Sequence, residues 1–120
     1  MGGALARNAS DPVTLNNLAY LLAREGRDLP YALQLAEQAA QLMPSSPEIQ
    51  DTLAYLYLRQ GMREKAVEAF DRLIALAAKD RRRSLEELRG KVQRGEIEQV
   101  ARLLEASRDR VMREVSGASS

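Results

Sequence analysis

Three observations predict an all-α chain of antiparallel helix-turn-helix repeats, about six helices stacked as a short right-handed α-solenoid. A segment recurs nearly intact: Asn17-Leu-Ala-Tyr-Leu-Leu-Ala-Arg-Glu-Gly26 lines up with Thr52-Leu-Ala-Tyr-Leu-Tyr-Leu-Arg-Gln-Gly61, a shift of 35 residues. Apolar residues in and after each copy recur at the i, i+3, i+4, i+7 spacing of one helix face. Each copy opens at a proline and closes at a glycine, the expected punctuation of a helix.

The elements follow in order. The first, near 12–25, starts at Asp11-Pro12, where a capping side chain precedes a proline at the first helical position. Leu15, Leu18, Ala19 and Leu22 form its apolar face, and Gly26 ends it. The second, near 29–43, carries Ala32, Leu35, Ala36, Ala39 and Leu42. Ser46-Pro47 opens the third, near 47–60, with Ile49, Leu53 and Leu56 on its face and Gly61 as its stop. The fourth, near 63–78, has Ala66, Ala69, Phe70, Leu73 and Leu76. Beyond each glycine the shift drops from 35 to 34, because the turn between Gly26 and Ala32 holds one extra residue.

Downstream the repeat degenerates. Ser84 and Glu87 read as a capping box ahead of a fifth helix near 84–94, with Leu85, Leu88 and Val92 on its face. Gly90 inside it costs about 1 kcal/mol relative to alanine. Gly95-Glu-Ile-Glu-Gln-Val100 parallels Gly61-Met-Arg-Glu-Lys-Ala66 and opens a sixth helix near 96–113, with Leu104 in the place of Phe70. The expected organisation is a leader or the tail of a truncated upstream repeat over 1–11, a first repeat over 12–46, and a second repeat with a basic junction over 47–83. A degenerate third pair or cap over 84–115 and a disordered tail over 116–120 complete it.

Composition narrows the function. The chain is 45% hydrophobic and 29% charged, which suits a soluble folded domain. It has no cysteine and no histidine, which removes thiolate chemistry, Cys-based zinc sites and the commonest general base. No apolar run approaches a membrane span, and Met-Gly-Gly-Ala is not a secretory start. The net charge of +1 argues against a nucleic-acid binder. Lysines and arginines against acids number 7 to 9 over residues 1–78 and 11 to 8 over 79–120, a weak asymmetry. The run Lys79-Asp-Arg-Arg-Arg83 reads as a solvated junction. Glu25, Asp28 and Glu37 are carboxylates that nothing orients, so no enzyme is expected, and no cofactor.

The segment from residue 12 to 78 resembles the tetratricopeptide repeat. Leu53, Ala54, Tyr57, Gly61, Ala66 and Phe70 carry the resemblance in the second unit; Leu18, Ala19, Leu22, Gly26, Ala32, Ala36, Ala39 and Pro44 carry it in the first. Leu22 stands where an aromatic is usual, and Ala78 replaces the closing proline of the second unit. The resemblance implies a protein-interaction module in which the first helix of each pair lines a concave surface. It leaves the compartment open, since such runs occur in bacterial cytoplasmic and cell-envelope proteins.

On that surface the repeat alignment expects Asn16, Asn17, Tyr20 and Arg24, then Asp51, Thr52, Tyr55 and Arg59, then Arg89. Tyrosine supplies flat apolar area and arginine a planar donor fork, both common at binding hot spots. Tyr20 and Tyr55 serve equally well as packing between helices, and Arg24 and Arg59 as solvated helix ends. The carboxylate clamp of chaperone-binding relatives is not expected, because Asn16 and Asp51 occupy its first position and tyrosines stand where asparagine is needed. The partner expected is a protein or peptide, with self-association through an exposed terminal repeat as the alternative.

Overall fold

The computed structural model describes residues 11–119, and all regular structure among them is helical. The helices are α1 (Pro12–Glu25), α2 (Leu29–Leu42), α3 (Pro47–Arg59), α4 (Arg63–Leu76), α5 (Lys79–Gln93) and α6 (Ile97–Ser119). The expected upstream-repeat tail at residues 1–10 lies outside the described residues.

The caps act as their residue types require. The Asp11 carboxylate accepts from the Thr14 backbone N–H, and the Ser46 hydroxyl from that of Ile49. Gly26 and Gly61 take left-handed conformations at φ 71° and 72°. The chain then turns so that the Arg27 N–H reaches Leu22 O and the Met62 N–H reaches Tyr57 O, satisfying carbonyls that the helix end leaves unpaired. The extra residue of the first turn has a definite home. Asp28 adopts φ 45°, a region that aspartate tolerates better than most side chains.

The first two pairs stack as repeats. α1 packs on α2, α3 on α4, and α3 lies against both α1 and α2. Ala19, Ala32, Ala36, Ala54, Ala66 and Ala69 have no exposed surface, so small residues sit where the helices approach most closely. Leu15, Leu35, Ile49, Leu53, Leu56, Phe70 and Leu73 fill the space between them.

Three expectations need correction. Helix α5 begins at Lys79, so the basic run is its first turns and Ser84 lies inside it; the cap is Ala78. Arginine and lysine are good helix formers, Asp80 favours the positive end of the helix dipole, and nothing between Ala78 and Ser84 interrupts the ladder. Helix α6 continues to Ser119, past the end expected near 113. Leu18, Leu42 and Leu76, expected on buried faces, are 42%, 56% and 37% exposed.

The third pair also departs from the stacking of the first two. α5 packs on α4, as a following first helix should. α6, however, approaches α3 more extensively than it approaches α5. The chain's last helix therefore lies across the first helices of the preceding repeats.

Candidate functional site

The face shared by α1 and α3 is built from equivalent positions of the two repeats. Tyr20 and Tyr55 bring their rings to 5.5 Å between centroids at a 42° tilt. Both are buried, with 5% and 1% of their surface exposed. Arg24 and Arg59 stand one turn further along, and the Arg59 guanidinium lies 5.9 Å from the Tyr55 ring centre. Asp51 and Thr52 precede Tyr55 by one turn, and the Thr52 hydroxyl donates to Glu48 O at 3.1 Å.

Helix α6 covers this face with side chains at i, i+3 and i+4, which fall on one side of a helix. Glu105 accepts a short hydrogen bond from the Tyr55 hydroxyl. The same carboxylate lies 3.6 Å from Arg59 Nη1 and 3.7 Å from Arg24 Nη1. Arg108 stacks its guanidinium 4.2 Å from the centre of the Tyr20 ring. It donates from Nη1 to Asp51 Oδ2 at 3.0 Å and from Nη2 to Thr52 Oγ1 at 3.2 Å. Asp109 accepts from Arg24 Nη2 at 2.5 Å.

Ionisation follows from this geometry. Burial, together with the Glu105 carboxylate, pushes the Tyr55 phenol far up. Burial also raises Tyr20, with Arg108 opposing it. Asp51 is raised by desolvation, against the pull of the Arg108 charge. Arg24 is raised by its hydrogen bond to Asp109. Tyr20, Tyr55 and Arg24 are all shifted further from neutral pH, so the phenols stay neutral and the guanidinium charged there. The arrangement sorts charge and, among the described residues, offers no activated nucleophile.

Six of the nine residues expected on the binding surface come together here: Tyr20, Arg24, Asp51, Thr52, Tyr55 and Arg59. Asn16 belongs to the same helix but is buried, and its Oδ1 finds no hydrogen-bond partner among the described residues. Asn17 is exposed beside them. Arg89 is not brought to the cluster; it pairs with Asp71 of α4 at 2.7 Å, because α5 follows α4 and not α3.

Sequence reasoning missed Glu105, Arg108 and Asp109. A signal was present. At the 34-residue shift Ser107 and Arg108 occupy the places of Leu73 and Ile74, so α6 loses the apolar stripe that would seat it as a repeat helix.

A family model of the tetratricopeptide repeat matches residues 24–86, more than half of the chain. The chain belongs to the tetratricopeptide repeat family. The match ends before α6, the helix that leaves the stacking. Comparison with curated proteins and with solved structures returned no match. Tetratricopeptide repeat domains generally mediate protein–protein interaction and are typically non-catalytic scaffolds. Among the described residues, no helix is long and apolar enough to cross a membrane.

Proposed function

We propose that this tetratricopeptide repeat chain is a non-enzymatic interaction module that holds a protein segment on the face formed by α1 and α3. The supporting observation is that this face already holds a helix. Paired tyrosines make a flat floor, Arg24 and Arg59 flank it with positive charge, and Asp51 and Thr52 offer acceptors one turn away. Aromatic floors ringed by arginines are the usual composition of binding hot spots. The repeat supplies the tyrosine and the arginine twice, so a bound segment meets one of each from each pair.

The test uses a display library of helical peptides, selected on the wild-type chain and counter-selected on a variant carrying Arg24→Glu and Arg59→Glu. Both arginines reach the surface, so charge reversal leaves the core in place. Binders that are lost on the variant and share an acidic position support the reading. Binders that hold both chains equally place the binding surface elsewhere.

A second reading, self-association through the first pair, rests on a different observation. Leu18 and Leu21 of α1 are 42% and 51% exposed, whereas their repeat equivalents Leu53 and Leu56 are 3% and 0% exposed. That edge of α1 is apolar in the manner of a stacking surface. Sedimentation of wild type against a Leu18→Gln, Leu21→Gln variant tests it. A concentration-dependent dimer lost in the variant supports it, and a monomer in both rejects it.

A further inference from the structure

We propose that the distal half of α6 is a displaceable occupant of the α1–α3 face. Its natural replacement is a partner helix bearing an acid, an arginine three residues later and a second acid immediately after. The inference rests on the reading of that face as a protein-binding surface and names the partner's chemistry.

The attachment of α6 changes character along its length. Val100, Ala101 and Leu104 are buried and anchor its first two turns. From Glu105 onward the described side chains that touch α1 and α3 do so through charge and hydrogen bonds: Glu105, Arg108 and Asp109. Val111, in this stretch, is half exposed. Arg24 and Asp109 are each more than a third exposed, so water and salt compete with their bond. An open cleft of about 330 Å3, lined by Leu58, Arg59, Glu98, Ala101, Arg102 and Glu105, remains between α3 and the first turns of α6.

The receptor's charges belong to α1 and α3 and stay when α6 leaves. Arg24 and Arg59 need an anion between them, and Asp51 needs a cation. On a helix the two demands are met by an acid and a base three residues apart, as Glu105 and Arg108 show. The face also carries a need that α6 leaves unmet. Asn16 and Tyr20 are buried, and Asn16 Oδ1 has no hydrogen-bond partner among the described residues. A partner helix with a further donor at this end would satisfy a group that the chain's own helix does not, and so has a route to outcompete it.

The probe is a fluorescent synthetic peptide with the sequence of residues 105–113. Its binding is measured by anisotropy to the full wild-type chain and to the full chain carrying Glu105→Ala and Arg108→Ala. Freed of its tethered competitor, the variant should bind the peptide about tenfold more tightly than wild type. Adding Arg59→Glu to the variant should abolish binding, as should making the two alanine substitutions in the peptide. Hydrogen exchange on the wild-type chain covers the case of a variant that does not fold. Saturating peptide should speed exchange in residues 105–111 and leave 98–104 unchanged. Equal affinity for both chains, still abolished by Arg59→Glu, overturns displacement but leaves the face as a binding surface. No binding to either folded chain overturns both. A dimer that exchanges α6 between copies, seen by sedimentation, assigns the face to self-association and overturns the inference.

Discussion

Helices α1 and α3 carry nearly the same residues in the same register and meet different neighbours. Leu53 and Leu56 are buried because α3 has the first pair packed on one side and α4 on another. Leu18 and Leu21 repeat them on α1 and stay half exposed, since no described helix lies beyond that edge. On the opposite side the two helices converge again: Tyr20 and Tyr55, Arg24 and Arg59 all meet α6. Identical residues therefore act as core in one repeat and as surface in the other, while their partner-facing side behaves as one continuous unit. In a repeat protein, position within the stack decides what a residue does as much as its identity does.

Truncation of the paired leucines breaks the comparison most sharply. Leu53→Ala should destabilise the chain by about 2–5 kcal/mol, through lost burial and the cavity left behind. Leu18→Ala, the same change at the equivalent exposed site, should cost less than about 1 kcal/mol. Denaturant melts of the two variants check this, and equal losses would mean that the edge of α1 is covered in solution.

Overpacking sharpens the other half of the comparison. Ala19 and Ala54 are equivalent and both fully buried. Replacing either by leucine should cost about 1–3 kcal/mol, because the helices of a pair must separate. The two losses should agree closely, since this side of the repeat has the same surroundings in both units. A large difference in denaturant midpoint would show that the pairs are not packed alike.

Alkaline titration addresses the buried tyrosines, of which Tyr20 and Tyr55 are shared by the repeats on the α6 side. Tyr20, Tyr55 and Tyr57 all have phenol pKa values raised in the folded state, mainly by burial. The folded chain keeps these protons where the unfolded chain releases them. Stability should be fully present below about pH 10, the ordinary phenol value, and fall as pH climbs towards the raised values. Phenolate absorbance from these three should appear together with loss of helix. Early titration while the helical signal holds would show that α6 does not cover the pair.

Much of this was legible in the chain itself, for physical reasons. Asp11-Pro12, Ser46-Pro47, Gly26 and Gly61 are local instructions, and the four helices they bracket have close to the expected bounds. The glycine-stop rule also located the turn at Gly95, where φ is 89°. The start of α5 was missed because a capping box describes what a helix end favours and not where helix formers upstream stop. The path of α6 was missed because it is set by pairs far apart in sequence, Glu105 with Tyr55 and Arg108 with Asp51. No period within one helix reports such a pair. The tyrosine ladder was visible as a repeat, whereas its burial depended on that unseen helix.

The smallest expected effect concerns the outermost contact. Arg24→Ala removes an exposed pairing with Asp109, so thermal stability should change by no more than about 1 kcal/mol, and the difference should vanish in high salt. Calorimetric melts at two salt concentrations check it.

The central claim is that α6 lies across α1 and α3 and is held at its distal end by charge. The chain has no native cysteine, so nitroxide labels can be placed at Glu25→Cys and Arg110→Cys alone. Pulsed dipolar spectroscopy then reads the separation between α1 and α6. A single short distance at about 0.1 M salt should broaden towards longer distances near about 1 M, where the screening length falls from about 10 Å to about 3 Å. A long separation at both concentrations, as for α6 stacked on α5 alone, would contradict the account.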